Sequence, residues 1–228
     1  MAAGALNVFR LAGDAVHLLS IGILWNKIQT ARSCAGISLK SQLLYAAVYI
    51  TRYLDLLSLP KMRLLSVYNA AMKVFFVGSQ LAVVYVMRFK YRATYNKHTD
   101  LFRVEFLVVP SVFFAWLFTD ASLHDGLFFF LREYLWTFSI ILESVAIFPQ
   151  LFLLQRTGEA ETITSHYLFC LGMYRVLYIL NWTYRAIFAR APEPIVVLAG
   201  LLQSALYADF FYEYYKKVIC YQIFKLPK

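Results

Sequence analysis

The stretch Leu135–Phe152, LWTFSIILESVAIFPQLF, decides what kind of fold this chain can have. Apolar residues fill it, and only a few polar side chains interrupt them. Extended from Leu127 to Leu154, the run is long enough as a helix to cross about 30 Å of hydrocarbon. Glu143 lies inside it, where a charge facing lipid costs about 2.5–3.5 kcal/mol on insertion scales. Pro149 lies inside it too, where the ring removes a backbone hydrogen bond and kinks a helix. A carboxylate in a spanning helix must face a bundle interior, so this helix needs neighbours.

They are present on both sides. Apolar runs cover Val8–Trp25, Ser38–Leu57, Leu64–Met87, Val104–Phe118, Leu127–Leu154, His166–Phe188 and Ile195–Tyr215. Of the 228 residues 61% are apolar and 15% charged, against roughly 45–50% and 25% in soluble domains. Seven spans of about 22 residues use roughly 154 residues, which leaves no room for an independent soluble domain. The expected fold is an all-α polytopic membrane protein with seven transmembrane helices. It forms one transmembrane domain over residues 1–228 and ends in a short cytoplasmic tail, 216–228. The amino terminus lacks a basic n-region and carries Arg10, Asp14 and His17 within its first apolar stretch, so it reads as a first transmembrane helix rather than a cleaved signal peptide.

The formal charge of +9 does not point to nucleic acid, because the basic residues sit in short loops instead of gathering on one solvated face. They report topology. Lys27, Arg32, Lys40, Arg88, Lys90, Arg92, Lys97, Arg103, Arg156, Lys216, Lys217, Lys225 and Lys228 fall on one side, against Lys61, Arg63, Arg132 and Arg190 on the other. Cytoplasmic loops retain Lys and Arg, so the amino terminus is expected in the lumen and the carboxyl terminus in the cytoplasm. Cys34, Cys170 and Cys220 are odd in number and have no metal-ligand spacing, so no disulfide framework is expected.

A shift of 126 positions aligns Ile21 with Ile147, Gln29 with Gln155 and Ile37-Ser38 with Ile163-Thr164. The identity is thin, and chance register is the competing explanation. The shift nevertheless pairs a first repeat, about 8–87, with a second, about 127–215, around a connector helix at about 104–118. That is the 3+1+3 parallel-repeat plan of small seven-helix transporters, whose ligand sites lie between the repeats. It also sets His17 opposite Glu143.

The ionisable residues within the runs form stripes. Arg10, Asp14 and His17 are spaced i, i+4, i+7 on one helix face. Arg52 and Asp55 are neighbours at the end of the second run, and Glu133, Trp136, Ile140 and Glu143 make one stripe of the fifth. Tyr174, Tyr178, Asn181 and Arg185 share a face of the sixth, with Arg175 and Trp182 beside it, and Asp209 lies deep in the seventh. Mutual neutralisation of Arg10 with Asp14 and of Arg52 with Asp55 is one reading; a functional site is the other. Arg175 and Arg185 have no acid within a helical turn and suit an external anion, since the guanidinium fork offers a carboxylate two parallel hydrogen bonds. His17 reads either as a hydrogen-bonded bundle residue or as a pH sensor. The depths describe a lumenal funnel that fits a small peptidic ligand with several carboxylates. No nucleophile elbow, phosphate-binding glycine loop or zinc-ligand cluster is present, so neither an enzyme nor a cofactor or metal site is expected.

Read in order, NVFRLAGDAVHLL, RSCAGISLKSQLLYA, TRYLDL, FRVEFLVVP, LWTFSIILESVAIFPQLF, TGEAETITSHYLF, YRVLYILNW and DFFYEYY cover nearly the whole chain. The sequence resembles the KDEL receptor family, the endoplasmic reticulum (ER) lumen protein-retaining receptors. The resemblance implies the seven-helix PQ-loop, SWEET-like architecture. It implies capture of escaped lumenal proteins in the cis-Golgi by a carboxyl-terminal Lys/His-Asp-Glu-Leu-type tetrapeptide. Return in coat-protein-I (COPI) vesicles and release at the higher pH of the ER follow. Carried over residue by residue, Arg52, Tyr53, Trp136 and Tyr178 match the group holding the terminal carboxylate and leucine. Arg10 and Arg185 match the arginines that meet the signal's acidic side chains, and Arg175 a further basic groove residue. Asp55 and Glu133 match the acids that accept the first, basic residue, with Trp182 packed against it and Asn181 beside the peptide. His17 matches the protonation sensor, Glu143 and Tyr174 a hydrogen-bonded pair that rearranges, and Asp209 an acid linked to transport.

Three regions depart from the family. The amino terminus is longer, and the Leu59–Arg63 region is expanded. The tail VICYQIFKLPK has neither a serine nor a lysine pair, so COPI recruitment would fall to Lys216-Lys217, nearer the membrane. A SWEET-like small-solute transporter on the same repeat plan is the alternative function.

Overall fold

The computed structural model describes residues 7–57, 64–121, 124, 126–157, 162–188 and 193–214. Among these every regular element is helical: α1 (Val8–Ala31), α2 (Leu39–Arg52), α3 (Leu64–Tyr85), α4 (Glu105–Phe118), α5 (Leu127–Val145), α6 (Phe148–Thr157), α7 (Thr162–Phe188) and α8 (Pro194–Tyr214), with short 3-10 turns and a π-helical turn at Val86–Lys90. Four helical segments are long and apolar enough to cross a membrane: Val8–Ala31, Val67–Lys90, Leu127–Thr157 and Pro194–Tyr212. Helix α4 is apolar but shorter. Its Phe106, Val109, Phe113, Trp116 and Leu117 are exposed, a surface suited to lipid rather than water.

The helix ends differ from the apolar runs for local reasons. Helix α1 continues past Trp25 to Ala31 and stops where Arg32 turns left-handed at φ 48°. It starts at Asn7, whose side chain accepts the Arg10 N–H at 2.9 Å, satisfying one otherwise unpaired donor of the first turn. Helix α2 ends at Arg52, and a 3-10 turn, Leu54–Leu57, follows. Its N-cap Ser38 accepts the Ser41 N–H at 3.2 Å. Pro194 opens α8, where a missing N–H costs nothing.

The long fifth run is broken. Helix α5 ends at Val145 and α6 begins at Phe148, so Pro149 sits in the first turn of a new helix. The polar groups at the break are satisfied from α2. The Gln150 N–H donates to Ser41 Oγ at 3.0 Å, and Gln150 Oε1 accepts the Ser38 N–H at 2.8 Å. This reciprocal clamp is fully buried and ties the kink to the start of α2.

The described residues form two compact units, Ile37–Leu153 in one, and Asn7–Gly36 with the described residues from Leu154 onward in the other. In the first, α2 packs against α3 and α5, and α4 against α5; in the second, α7 packs against α1 and α8. Lipid gives helices little hydrophobic reason to associate, so close packing through small residues and interhelical hydrogen bonds must hold them together. In the second unit both are visible. A Cβ at Gly13 would stand 2.9 Å from the Tyr178 ring, and one at Gly200 would collide with the Trp182 indole.

Candidate functional site

The site residues expected from the sequence fall into two groups, one per unit. In the first, Arg52 closes the last turn of α2, where a cation meets the helix dipole favourably. Its Nη1 donates to Glu143 Oε2 at 2.5 Å, Nε to Ser139 Oγ at 3.1 Å, and Nη2 to the Ser139 carbonyl at 2.9 Å. Side-chain exposure is 17% for Arg52 and 5% for Glu143, so this is a partly desolvated ion pair with its guanidinium fixed in one plane. The pair is expensive to break, since removing one partner strands a charge away from water. Tyr53 stacks on Tyr49 with ring planes 3° apart. Trp136 lies a turn before Ser139 and is half-buried. Its carbonyl accepts the Ser139 hydroxyl at 2.6 Å.

Two further acids belong to this unit. Asp55 Oδ2 accepts from Lys73 Nζ of α3, and that ammonium stands 5.6 Å from the Tyr53 ring centre. Glu133 Oε1 accepts from Arg132, 3.0 Å from Nη2. The ion pairs of Arg52 and Asp55 are thus made across helices, with Glu143 and Lys73.

In the second unit the α7 face forms a ladder. His17 of α1 stacks on Tyr174, 4.3 Å between ring centres and 9° between planes. Tyr174 meets Tyr178 edge-on, and Tyr178 meets Trp182 at 60°, each 6.1 Å apart. Arg175 Nη2 donates to Tyr174 Oη at 3.0 Å, and its guanidinium lies 5.1 Å from the same ring. The Tyr178 hydroxyl donates to Asp14, and Asn7 Nδ2 donates to Asn181 Oδ1 at 2.8 Å. Asp14, His17, Tyr174, Arg175, Asn181 and Trp182 are all buried. Arg10 and Arg185 are half-buried near the ends of α1 and α7. The i, i+4, i+8 spacing of Tyr174, Tyr178 and Trp182 builds the ladder, and Gly13 and Gly200 make room for two of its rings.

The side chain of Asp209, together with Lys216, Lys217 and the rest of the tail, lies outside the described residues, as do Lys61, Arg63, Arg190 and Cys220.

Three polar residues escaped the sequence reading, two of them buried. Lys27, counted among the loop charges, is in α1 and 3% exposed; its Nζ donates to the Ala35 carbonyl at 3.0 Å and to Thr164 Oγ1 at 2.5 Å. Asp100, in the α3–α4 connection, is 1% exposed and accepts from Ser38 Oγ at 2.9 Å, Tyr95 Oη at 2.7 Å and the Lys40 N–H at 3.3 Å. A carboxylate at the start of α2 is favoured by the helix dipole. Beside it the Tyr95 phenol is pushed well above its ordinary pKa, first by burial and then by its hydrogen bond to Asp100. Lys73 carried a signal that could have been used, a lone lysine in the apolar run AAMKVFFVG.

These features define a helical membrane protein that carries buried ionisable and aromatic residues in each of its two units. The chain belongs to the ER lumen protein retaining receptor family, whose model matches residues 33–185. It is 53% identical over 222 residues to ER lumen protein-retaining receptor 2 of Danio rerio, an alignment covering 97% of this chain and all of that one. The Homo sapiens receptor of the same name is 52% identical over the same coverage, and the Drosophila melanogaster ER lumen protein-retaining receptor 51%. The family is one of receptors rather than enzymes.

Proposed function

We propose that this protein retains ER lumenal proteins by binding their carboxyl-terminal Lys/His-Asp-Glu-Leu-type tetrapeptide in the acidic cis-Golgi. It returns them to the ER in COPI vesicles and releases them at the higher pH there. The observation that carries the reading is the Arg52 guanidinium, oriented by Ser139 and held on a single carboxylate, Glu143. A peptide terminal carboxylate offers the same acceptor geometry and can share or take over that fork. Tyr53, Trp136 and Tyr178 accompany Arg52 around the terminal leucine. Arg10, Arg175 and Arg185 meet the acidic side chains, Asp55 and Glu133 receive the first residue, and Asn181 and Trp182 line the peptide. His17, Glu143 and Tyr174 couple protonation to capture, while Asp209 and Lys216-Lys217 serve transport.

The architecture in this reading is seven spans in the 3+1+3 PQ-loop, SWEET-like plan, with a lumenal amino terminus and a cytoplasmic carboxyl terminus. Helix pairing supports it. A shift of 126 residues carries α2 onto α7, α3 onto α8, and α1 onto α5 with α6. The α2–α3 and α2–α5 contacts then correspond to α7–α8 and α7–α1. The sign of the pH effect follows from charge. An anionic peptide stabilises protonated His17, so binding must strengthen as pH falls.

The test is binding of Lys-Asp-Glu-Leu to the purified protein at acidic pH, with the carboxyl-amidated peptide as control. Binding of the free acid alone supports the reading. Saturable solute flux in proteoliposomes with no tetrapeptide binding would replace it with a transporter.

A further inference from the structure

We propose that the segment joining α3 to α4, residues 86–104, is a docking surface for the anionic phospholipid headgroups of the leaflet it borders. The proposal is independent of tetrapeptide capture.

Five cations, Arg88, Lys90, Arg92, Lys97 and Arg103, fall within this segment, against one acid, Asp100. All five are exposed, whereas Asp100 is 1% exposed. The acid is engaged within the fold, where it accepts from Ser38 Oγ, the Tyr95 phenol and the Lys40 N–H. Lys40 Nζ donates to the Phe102 carbonyl at 2.8 Å, which pins the segment to α2 a second time. Arg88, Arg92, Lys97 and Arg103 make no ion pair among the described residues, and the Lys90 ammonium lies 5.0 Å from the Tyr91 ring centre. Topology requires only that cations stay on one side of the membrane; it does not require the local acid to be turned inward. The result is an ordered surface of net positive charge, and the next exposed acid along the chain is Glu105, in the first turn of α4.

The ends of the segment place it at the membrane boundary. The apolar span Val67–Lys90 runs into it through the π-helical turn, where the Tyr91 N–H donates to the Val86 carbonyl at 2.8 Å, and apolar α4 begins at Glu105. Exposed aromatic residues accompany the cations. Phe89 stands between Arg88 and Lys90, Tyr85 lies 5.2 Å from it ring to ring, and Phe106 follows Arg103. Aromatic rings suit the boundary between headgroups and acyl chains. An anionic lipid therefore satisfies both features, its phosphate meeting the cations and its acyl chains the rings, whereas a soluble acidic partner satisfies only the charges. Basic segments beside a spanning helix gain about fivefold in affinity for anionic lipid per Lys or Arg, and arginine forks add paired hydrogen bonds to phosphate.

The test counts, by native mass spectrometry, the lipids retained by the full-length protein in detergent micelles doped with equal amounts of phosphatidylserine and phosphatidylcholine. The wild type should prefer phosphatidylserine by about tenfold or more. Arg88→Gln with Arg92→Gln should reduce that preference by about fivefold or more, whereas Arg32→Gln with Arg156→Gln, exposed cations outside the segment, should leave most of it. Raising the salt from about 0.1 to 1 M, which shortens the Debye length from about 10 to 3 Å, should cut the wild-type preference several-fold, so the test stands even if a variant does not fold. Equal losses in the two double variants would assign the effect to diffuse surface charge and overturn the proposal. Absence of a phosphatidylserine preference, or a preference that salt leaves unchanged, would overturn it too, the first leaving the cations to a soluble acidic partner. Glycerophosphoserine, the headgroup without acyl chains, should not compete at the concentration of the lipid; equal competition would make this a site for soluble anions and contradict the lipid assignment.

Discussion

Replacing Gly13 by alanine adds one methyl group where the second unit has no space for it. The new Cβ would stand 2.9 Å from Tyr178 Cδ2, 3.0 Å from Cε2 and 3.6 Å from Leu177 Cβ. Carbon atoms in comfortable contact are about 3.5–4.0 Å apart, so the ring must retreat by about half an ångström. Leu177 Cβ is anchored to the α7 backbone and yields little. The Tyr178 hydroxyl donates to Asp14, the next residue of α1, so the retreat also pulls that hydrogen bond apart. Overpacking costs about 1–3 kcal/mol, and a weakened bond to a charged acceptor up to about 1.5–3 kcal/mol more. Alanine's better helix propensity returns roughly 0.5–1 kcal/mol. The net expectation is a loss of about 1–5 kcal/mol, read as a Tm lower by about 2–20 °C for a chain of this size. Gly22, on the same helix, has nothing within 4 Å of its added Cβ. There the same substitution should leave Tm unchanged or raise it by a degree or two, about what propensity supplies. Thermal unfolding of both variants in detergent micelles makes the comparison internal to one helix. A Gly13→Ala protein as stable as Gly22→Ala would refute the packing argument.

Further outcomes follow from the same geometry. Arg52→Lys keeps the charge but cannot hold Glu143, Ser139 Oγ and the Ser139 carbonyl in one planar fork; free-acid tetrapeptide binding should weaken about tenfold or more, measured by calorimetry. Gly200→Ala places a Cβ 2.8 Å from Trp182 Cη2 and in collision with Cζ3, so the indole must leave its seat; a shift in tryptophan emission and weaker peptide binding are expected. Tyr95→Phe removes a donor to buried Asp100 and should lower stability at neutral pH by about 1–2 kcal/mol. Because the folded state raises the Tyr95 pKa, the wild-type contribution is full below the ordinary tyrosine value of about 10 and is lost as pH climbs through the raised one. Alkaline melting curves should therefore be shallower for the variant.

What the sequence made legible was periodic or punctuated. Apolar runs located the helices, and Pro149 marked the break between α5 and α6. The i, i+4, i+8 aromatics of α7 became one ladder. Choice of partner was less legible, because it depends on how helices register against one another. Arg52 has Asp55 three residues away, yet its ion pair is with Glu143, a residue 91 positions on. Lys27 looked like a loop cation and instead is buried, its ammonium donating hydrogen bonds to the Ala35 carbonyl and the Thr164 hydroxyl. Asp100 carried no motif at all; it is significant because the start of α2 and Tyr95 converge on it. Helix α7 is not among the segments apolar enough by composition to cross a membrane. Its Arg175, Asn181 and Trp182 are buried against neighbours, so a helix polar in composition need not present that polarity to its surroundings.

The most direct test of the account is titration of the purified protein with Lys-Asp-Glu-Leu at pH of about 5.5 and 7.5, either side of the reference histidine value of about 6.5, alongside His17→Ala. The account predicts that the wild type binds at least several-fold more tightly at the lower pH, and that the variant loses most of that difference while its fold is retained. Equal wild-type affinity at both pH values, or a pH dependence that survives removal of His17 unchanged, would contradict it.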